Sequence, residues 1–415
     1  MNEQGGGKRR NFLKQATAAG LMSLVPNAVR TGAWAAGSDA PEKKEVKIGF
    51  IPLTDCSSVV MASVMEFDKK YGIKIVPSKE ASWAAVRDKL VNGELDAAHV
   101  LYGLIYGVQM GIGGPKKDMN VLMNLNHNGQ AFTLSRKLFD KGVVDGFTLK
   151  KLIEKEKAEY TFAQTFPTGT HAMWLYYWLA AHGIHPFQDV KAIVVPPPQM
   201  VANMRVGAMD GFCVGEPWNY RAIMDKIGFT ANTTQDLWKD HPEKTLGCTA
   251  EFVQKSPNTA RAMTAAVIDA GRWIDASLVN RQKTAEVVSD RSYVNCEKDV
   301  IVARMLGRYD NGIGKTWDDK DHMKFYNEGY VTFPFLSDGM WFMTQHRRWG
   351  LLKEDPDYLA VAKKVNRIDV YKDAAAMTKT PLPKEPMRTA KLMDGVVWDG
   401  KDAKKYAGGF KLKVA

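Results

Sequence analysis

Residues 81–100, ASWAAVRDKLVNGELDAAHV, predict a short helix, a glycine stop and a buried strand, and the pattern returns 114 positions later. Trp83, Val86 and Leu90 fall at i, i+3 and i+7 and make one apolar helical face. Ser82 stands before them as an N-cap, and Gly93 supplies the left-handed residue that ends a helix. In the second copy, PPQMVANMRVGAMDGFCV, Met200, Met204, Gly207 and Asp210 occupy the places of Val86, Leu90, Gly93 and Asp96, and Pro197 that of Trp83. A second pair of segments repeats in the same order. Residues 46–51 predict a strand, then the polar loop Thr54-Asp55-Cys56-Ser57-Ser58 and a helix ending near Gly72. Residues 160–163 predict another strand, then Pro167-Thr168-Gly169-Thr170 and a helix ending at Gly183. A chain that writes strand, loop, helix and glycine twice at matching spacing is expected to build two similar α/β lobes.

The 415 residues are enough for two cores. Residues 46–128 are expected to form the first unit and 129–244 the second, with 245–415 returning to the first lobe. From Ser256 the pattern turns helical, over 260–278, 285–288, 300–309, 318–330 and 341–348. The tail beyond Ala374, with Pro381, Pro383 and Pro386, reads as irregular. A chain that builds one lobe, crosses to a second and returns makes a hinged cleft. Ligands bind at the carboxyl ends of its strands, where helix N-termini point.

The formal net charge is +11, but Lys8, Arg9, Arg10, Lys14 and Arg30 against Glu3 place +4 of it in the first 35 residues. The rest has no long basic run, which argues against nucleic-acid binding. Arg9-Arg10 before Phe12-Leu13-Lys14, the weakly apolar run 16–25 and Ala33-Trp34-Ala35 look like a twin-arginine export signal over residues 1–35. No later run reaches the ~18 apolar residues of a membrane span, so a soluble periplasmic protein is expected. Cys56, Cys213, Cys248 and Cys296 are scattered without a C-x-x-C. A zinc site is thereby disfavoured, and free thiols are expected over a disulfide.

No catalytic motif is present: no G-x-S-x-G, no H-E-x-x-H, and Gly111-Ile112-Gly113-Gly114 lacks the Lys-Ser/Thr of a phosphate loop. His182 and His185 flank a predicted helix end and are expected to cap it. A binding protein without cofactor or metal is therefore expected, not an enzyme. The segments IGFIPLTDC (48–56), EASWAAVRDKLVNGELDAAHVL (80–101), LNHNGQAFTLS (125–135), PTGTHAMWLYYWL (167–179), VGEPWN (214–219) and HPEK (241–244) resemble the nitrate- and bicarbonate-binding proteins of ABC importers. The resemblance implies a two-lobed type II periplasmic binding protein fold with a hinged ligand cleft. It also implies a monomer that delivers nitrate, or nitrite, to a membrane permease and its ATPase. By it the ligand positions are Trp83, Gln130, His171 and Lys244, with Pro197 and Val214 lining the pocket.

Those residue types suit a planar monoanion that accepts hydrogen bonds weakly. Trp83 offers an indole N–H, Gln130 an amide NH2, His171 a ring N–H and Lys244 the neutralising charge. Glu216-Pro217-Trp218 is read as a structural turn of the second lobe. Bicarbonate is the near alternative, and sulfonate another. Bicarbonate's hydroxyl needs an acceptor, and the family's bicarbonate binders are acidic, with calcium, at the position of Lys244; a lysine cannot accept. A nitrate sensor acting on a regulatory partner would lack the export signal.

Overall fold

The computed structural model describes residues 39–414. The twin-arginine segment lies outside the described residues. Two five-stranded sheets carry the chain. The first runs β2 (Lys74–Lys79), β1 (Glu45–Phe50), β3 (Ala97–Leu101), β10 (Lys244–Thr249), β4 (Met119–Asn124). The second runs β7 (Lys191–Val194), β6 (Thr161–Gln164), β8 (Gly211–Gly215), β5 (Gln130–Ser135), β9 (Gly228–Thr233). In each sheet the first three strands are parallel, and the fourth is antiparallel to both its neighbours. This is the two-lobed α/β architecture expected from the repeat.

The helices that matter here are α1 (Ser57–Val64), α2 (Trp83–Val91), α3 (Tyr102–Met110), α4 (Thr170–Ala181), α5 (Met200–Arg205), α6 (Pro257–Asp275) and α7 (Leu336–Arg348). Ser82 caps α2 by accepting from Ala85 N at 3.2 Å. Gly93 and Gly207, at φ +77° and +76°, end the two repeat helices in the left-handed region that a side chain would strain. The repeat extends to one hydrogen-bond pair. Asp96 accepts from Lys47 N at 2.9 Å, and Asp210 accepts from Thr161 N at 2.8 Å, each tying the start of the third strand in its sheet's order to the second, β3 to β1 and β8 to β6.

Differences fall in the C-terminal third. Residues 318–330, read as helical, form turns, because Asp319 and Asp275 accept backbone N–H groups there: Asp321 N, and Phe325 N with Tyr326 N. Such local side-chain acceptors compete with helical bonding. The tail is more ordered than its prolines suggest. A helix Ile368–Thr378 is followed by a two-stranded pairing of Ala390–Lys391 with Val397–Trp398. It is tied to the body by Trp398 Nε1 donating to Ser337 O and Arg388 clasping the Asp338 carboxylate at 2.7 and 2.8 Å. Helix α7 touches both halves of the molecule. Phe342 packs on Tyr102 of α3, and His346 Nε2 donates to Thr168 O before α4 at 2.8 Å. His182 Nδ1 bonds Trp178 O, and the His185 backbone N–H donates to Asp189, so both histidines finish the end of α4. All four cysteines are buried free thiols. Among the described residues, no helix is long and apolar enough to cross a membrane.

Candidate functional site

The repeated loops and strand ends place their polar residues together. Asp55 lies in the short turn after β1, and Trp83 opens α2. Gln130 opens β5, and His171 stands in the first turn of α4. Lys244 opens β10, directly after Glu243. Asp55, His99, His171, Glu243 and Lys244 have no exposed surface, and Trp83 and Gln130 show 1% each. Charges removed this fully from water must be paired.

The pairing is continuous. Thr165 Oγ1 donates to His171 Nδ1 at 2.7 Å, and His171 Nε2 donates to Gln130 Oε1 at 2.9 Å. Gln130 Nε2 donates to Asp55 Oδ2 at 3.3 Å, which also accepts from Lys244 Nζ at 2.6 Å. Asp55 Oδ1 takes His99 Nε2 at 2.6 Å. The chain of donors fixes His171 as the neutral tautomer with its proton on Nε2. Lys244 Nζ also bonds Glu243 Oε2, and it stands 5.6 Å from the centre of the Trp83 ring. Three atoms of this group have no hydrogen-bond partner: Trp83 Nε1, a pure donor, His99 Nδ1 and Glu243 Oε1.

The charges sort accordingly. Burial would raise the Asp55 carboxyl, but Lys244 and the His99 ring outweigh it and hold it below the usual range, so it is ionised. Burial works against the charged Lys244, yet the two carboxylates hold its ammonium above the ordinary value. Burial and the nearby Asp55 charge push Glu243 up to about 8 despite Lys244. Burial, reinforced by Lys244, keeps the His171 ring well below its usual value and neutral.

Of the six positions expected from the sequence, Gln130, His171 and Lys244 meet in this network, and Trp83 faces the ammonium. Val214 lies in β8 opposite Ala131, one residue from the Gly215–Gln130 pair, and Pro197 is buried at the start of the short turn before α5. Gly215 needs its lack of a side chain: a Cβ there would stand 2.7 Å from Gln130 Oε1. Asp55, His99 and Glu243, which join this network, are not among the positions named from the sequence. A histidine inside the apolar strand AAHVL, and an acid beside the lysine in HPEK, were the available signals.

Lys244 itself cannot accept, but two carboxylates hold its ammonium, so acceptors stand beside it. The Glu216-Pro217-Trp218 turn does more than brace the second lobe. Glu216 O accepts from Thr54 N and Oγ1 at 2.8 and 3.0 Å, and Trp218 Nε1 donates to Pro52 O at 2.9 Å. The turn therefore fastens the second sheet to the loop that carries Asp55, while buried Arg304 holds the Glu216 carboxylate at 3.1 Å.

The model of the NMT1-like family matches residues 39–289. This chain belongs to that family. It is 38% identical over 390 residues to the nitrate/nitrite binding protein NrtA of Synechocystis, an alignment covering 91% of this chain and 87% of that one. The crystal structure of the periplasmic nitrate-binding protein NrtA from Synechocystis superposes with a TM-score of 0.86 at 37% identity, covering 90% of this chain and all of that one. The nitrate import ATP-binding protein NrtC of Synechocystis is 34% identical over 408 residues, which is 97% of this chain and 59% of that protein. The fold is thus the two-lobed type II periplasmic binding protein fold.

Proposed function

We propose that this protein is the solute-binding component of an ABC importer, capturing nitrate, and nitrite with it, in a cleft that closes between its two lobes. The observation that carries this reading is the buried Lys244 ammonium, with the unpartnered Trp83 indole N–H beside it and donors drawn from both sheets. Trp83, Gln130, His171 and Lys244 are the ligand-binding residues, with Pro197 and Val214 in the wall. The lobes divide at 46–128 with 245–415 and at 129–244. The protein acts as a monomer, hands its anion to a membrane permease driven by an ATPase, and catalyses no reaction. Its relatives NrtA and NrtC support the importer assignment.

Calorimetry with nitrate, nitrite, bicarbonate and an alkanesulfonate tests the ligand. Trp83→Phe keeps the ring and deletes the donor. Losing a hydrogen bond to a charged group costs about 1.5–3 kcal/mol, or roughly ten- to more than a hundredfold in affinity. A nitrate Kd unchanged in Trp83→Phe would take Trp83 out of the site. One observation favours a second reading, bicarbonate: Glu243 Oε1, when ionised, could accept a ligand hydroxyl. Bicarbonate binding without nitrate binding in the same screen would establish it.

The protein works in the periplasm and leaves the cytoplasm folded, on the strength of Arg9-Arg10 and the run behind them. Replacing both arginines by lysine is expected to leave an uncleaved cytoplasmic precursor. Normal export of that variant, followed by fractionation and blotting, removes the twin-arginine route.

A further inference from the structure

We propose that Glu243 meets the bound anion as a carboxylic acid, so that nitrate is held together with one proton on Glu243 Oε1. The inference rests on the anion-binding reading of the site. It begins from a count of charges. Asp55, Glu243 and Lys244 have no exposed surface, so two carboxyl groups share one ammonium in a place closed to bulk solvent. With both carboxyls ionised the group already carries one negative charge in excess. A monoanion would bring a second, and like charges at such range oppose each other strongly.

The hydrogen bonds decide which carboxyl takes the proton. Asp55 is committed as an acceptor, to His99 through one oxygen and to Lys244 and Gln130 through the other. Glu243 spends only Oε2, on Lys244. Its Oε1 is buried without a hydrogen-bond partner, 3.4 Å from His171 Nε2, whose N–H is turned to Gln130 Oε1. A bare lone pair on that oxygen would repel a nitrate oxygen, whereas an O–H there becomes a donor beside Lys244 and the Trp83 N–H.

The titratable and charged groups around Glu243 come from every surrounding element. They are Lys244 of β10, Asp55 of the turn after β1, His99 of β3, His171 of α4, Cys213 of β8 and His241 just before Glu243. The Cys213 thiol, buried and near the Glu243 charge, is raised well above its usual value and stays neutral. Burial holds His241 down to about 3, and His99 and His171 are likewise held low, so none of the three rings supplies a positive charge at neutral pH. Lys244 is thus the local cation, and Asp55 already claims it. The proton on Glu243 keeps the free site neutral and leaves only the ligand's own charge when it is occupied. It also sets specificity. Below the titration of Glu243 the site presents donors, which suits nitrate, and offers the hydroxyl of bicarbonate no acceptor at Oε1.

The test is nitrate calorimetry on the whole protein from pH 6 to 9.5 at constant ionic strength, with Glu243→Gln in parallel. The wild-type Kd is expected to hold steady to about pH 8 and then rise about tenfold per pH unit, because binding must draw one proton from solvent. At pH 9, the binding heat measured in two buffers of different ionisation enthalpy should report uptake of close to one proton. Glu243→Gln keeps an N–H donor that cannot ionise, so its Kd should stay level across the range and its proton uptake vanish. A wild-type Kd level to pH 9.5 with no uptake overturns the proposal and leaves the anion reading intact. A Glu243→Gln profile that still rises assigns the proton elsewhere and overturns it too. No nitrate heat at any pH removes the anion reading and this inference with it. Should the variant fail to fold, the wild-type profile and proton count alone decide.

Discussion

Lys244→Ala is expected to abolish nitrate binding in the micromolar range and also to destabilise the ligand-free protein by about 3–5 kcal/mol, the usual cost of stranding one partner of a buried ion pair. The binding loss follows from removing the local cation on a buried anion; at ~1.4 kcal/mol per decade it amounts to a hundredfold or more. The stability loss follows from the structure alone. Without the ammonium, Asp55 loses its shortest bond to a full positive charge, and Glu243 is left against an ionised neighbour with no cation between them. Were Lys244 a ligand residue alone, the same substitution would cost affinity and change the empty protein's stability little. Chemical denaturation of the ligand-free variant separates the two accounts. A wild-type midpoint together with lost binding would return Lys244 to the role of a ligand residue without a structural one.

Asp55→Asn is expected to be nearly as severe, in contrast to the mild Glu243→Gln, although both residues bond the same ammonium. Asp55 accepts from His99, Gln130 and Lys244, and an amide can turn an oxygen towards only one side of that set. Its NH2 then faces a donor, and the lysine is left with a neighbour that burial prefers to keep protonated. A loss of about 3–5 kcal/mol is expected, read as a lower denaturation midpoint with unchanged slope. The double variant Asp55→Asn/Lys244→Met removes the buried charge along with its partner. It should be more stable than the sum of the single effects requires, by an interaction energy of about 1–3 kcal/mol. Strict additivity would mean that the two groups do not support each other in the folded state.

The different fates of these carboxylates trace back to where each sits. Asp55 stands in the turn after β1 of the first sheet, at the position where the second sheet's repeat places the loop before α4, and His171 lies in the first turn of that helix. The two repeats therefore deliver a carboxylate and an imidazole to a common point, with Gln130 joining them.

Much of this was legible in one dimension. The pairing of residues 81–100 with 197–214 carried over to the left-handed glycines 93 and 207 and to the equivalent aspartates 96 and 210, because helix stops and strand starts are local chemistry. Trp83, Gln130, His171 and Lys244 could be named because donors for an anion have recognisable side chains and stood in blocks that resemble a known family. What the sequence could not determine is what those donors would face. Asp55 and Lys244 are 189 residues apart in the chain, and their bond exists only because β10 returns to the first sheet beside β3. The protonation of Glu243 is likewise a tertiary property. An acid beside a lysine is ordinarily ionised at neutral pH, and only complete burial against a second carboxylate raises it, since desolvation and like charge both arise from neighbours far away in sequence.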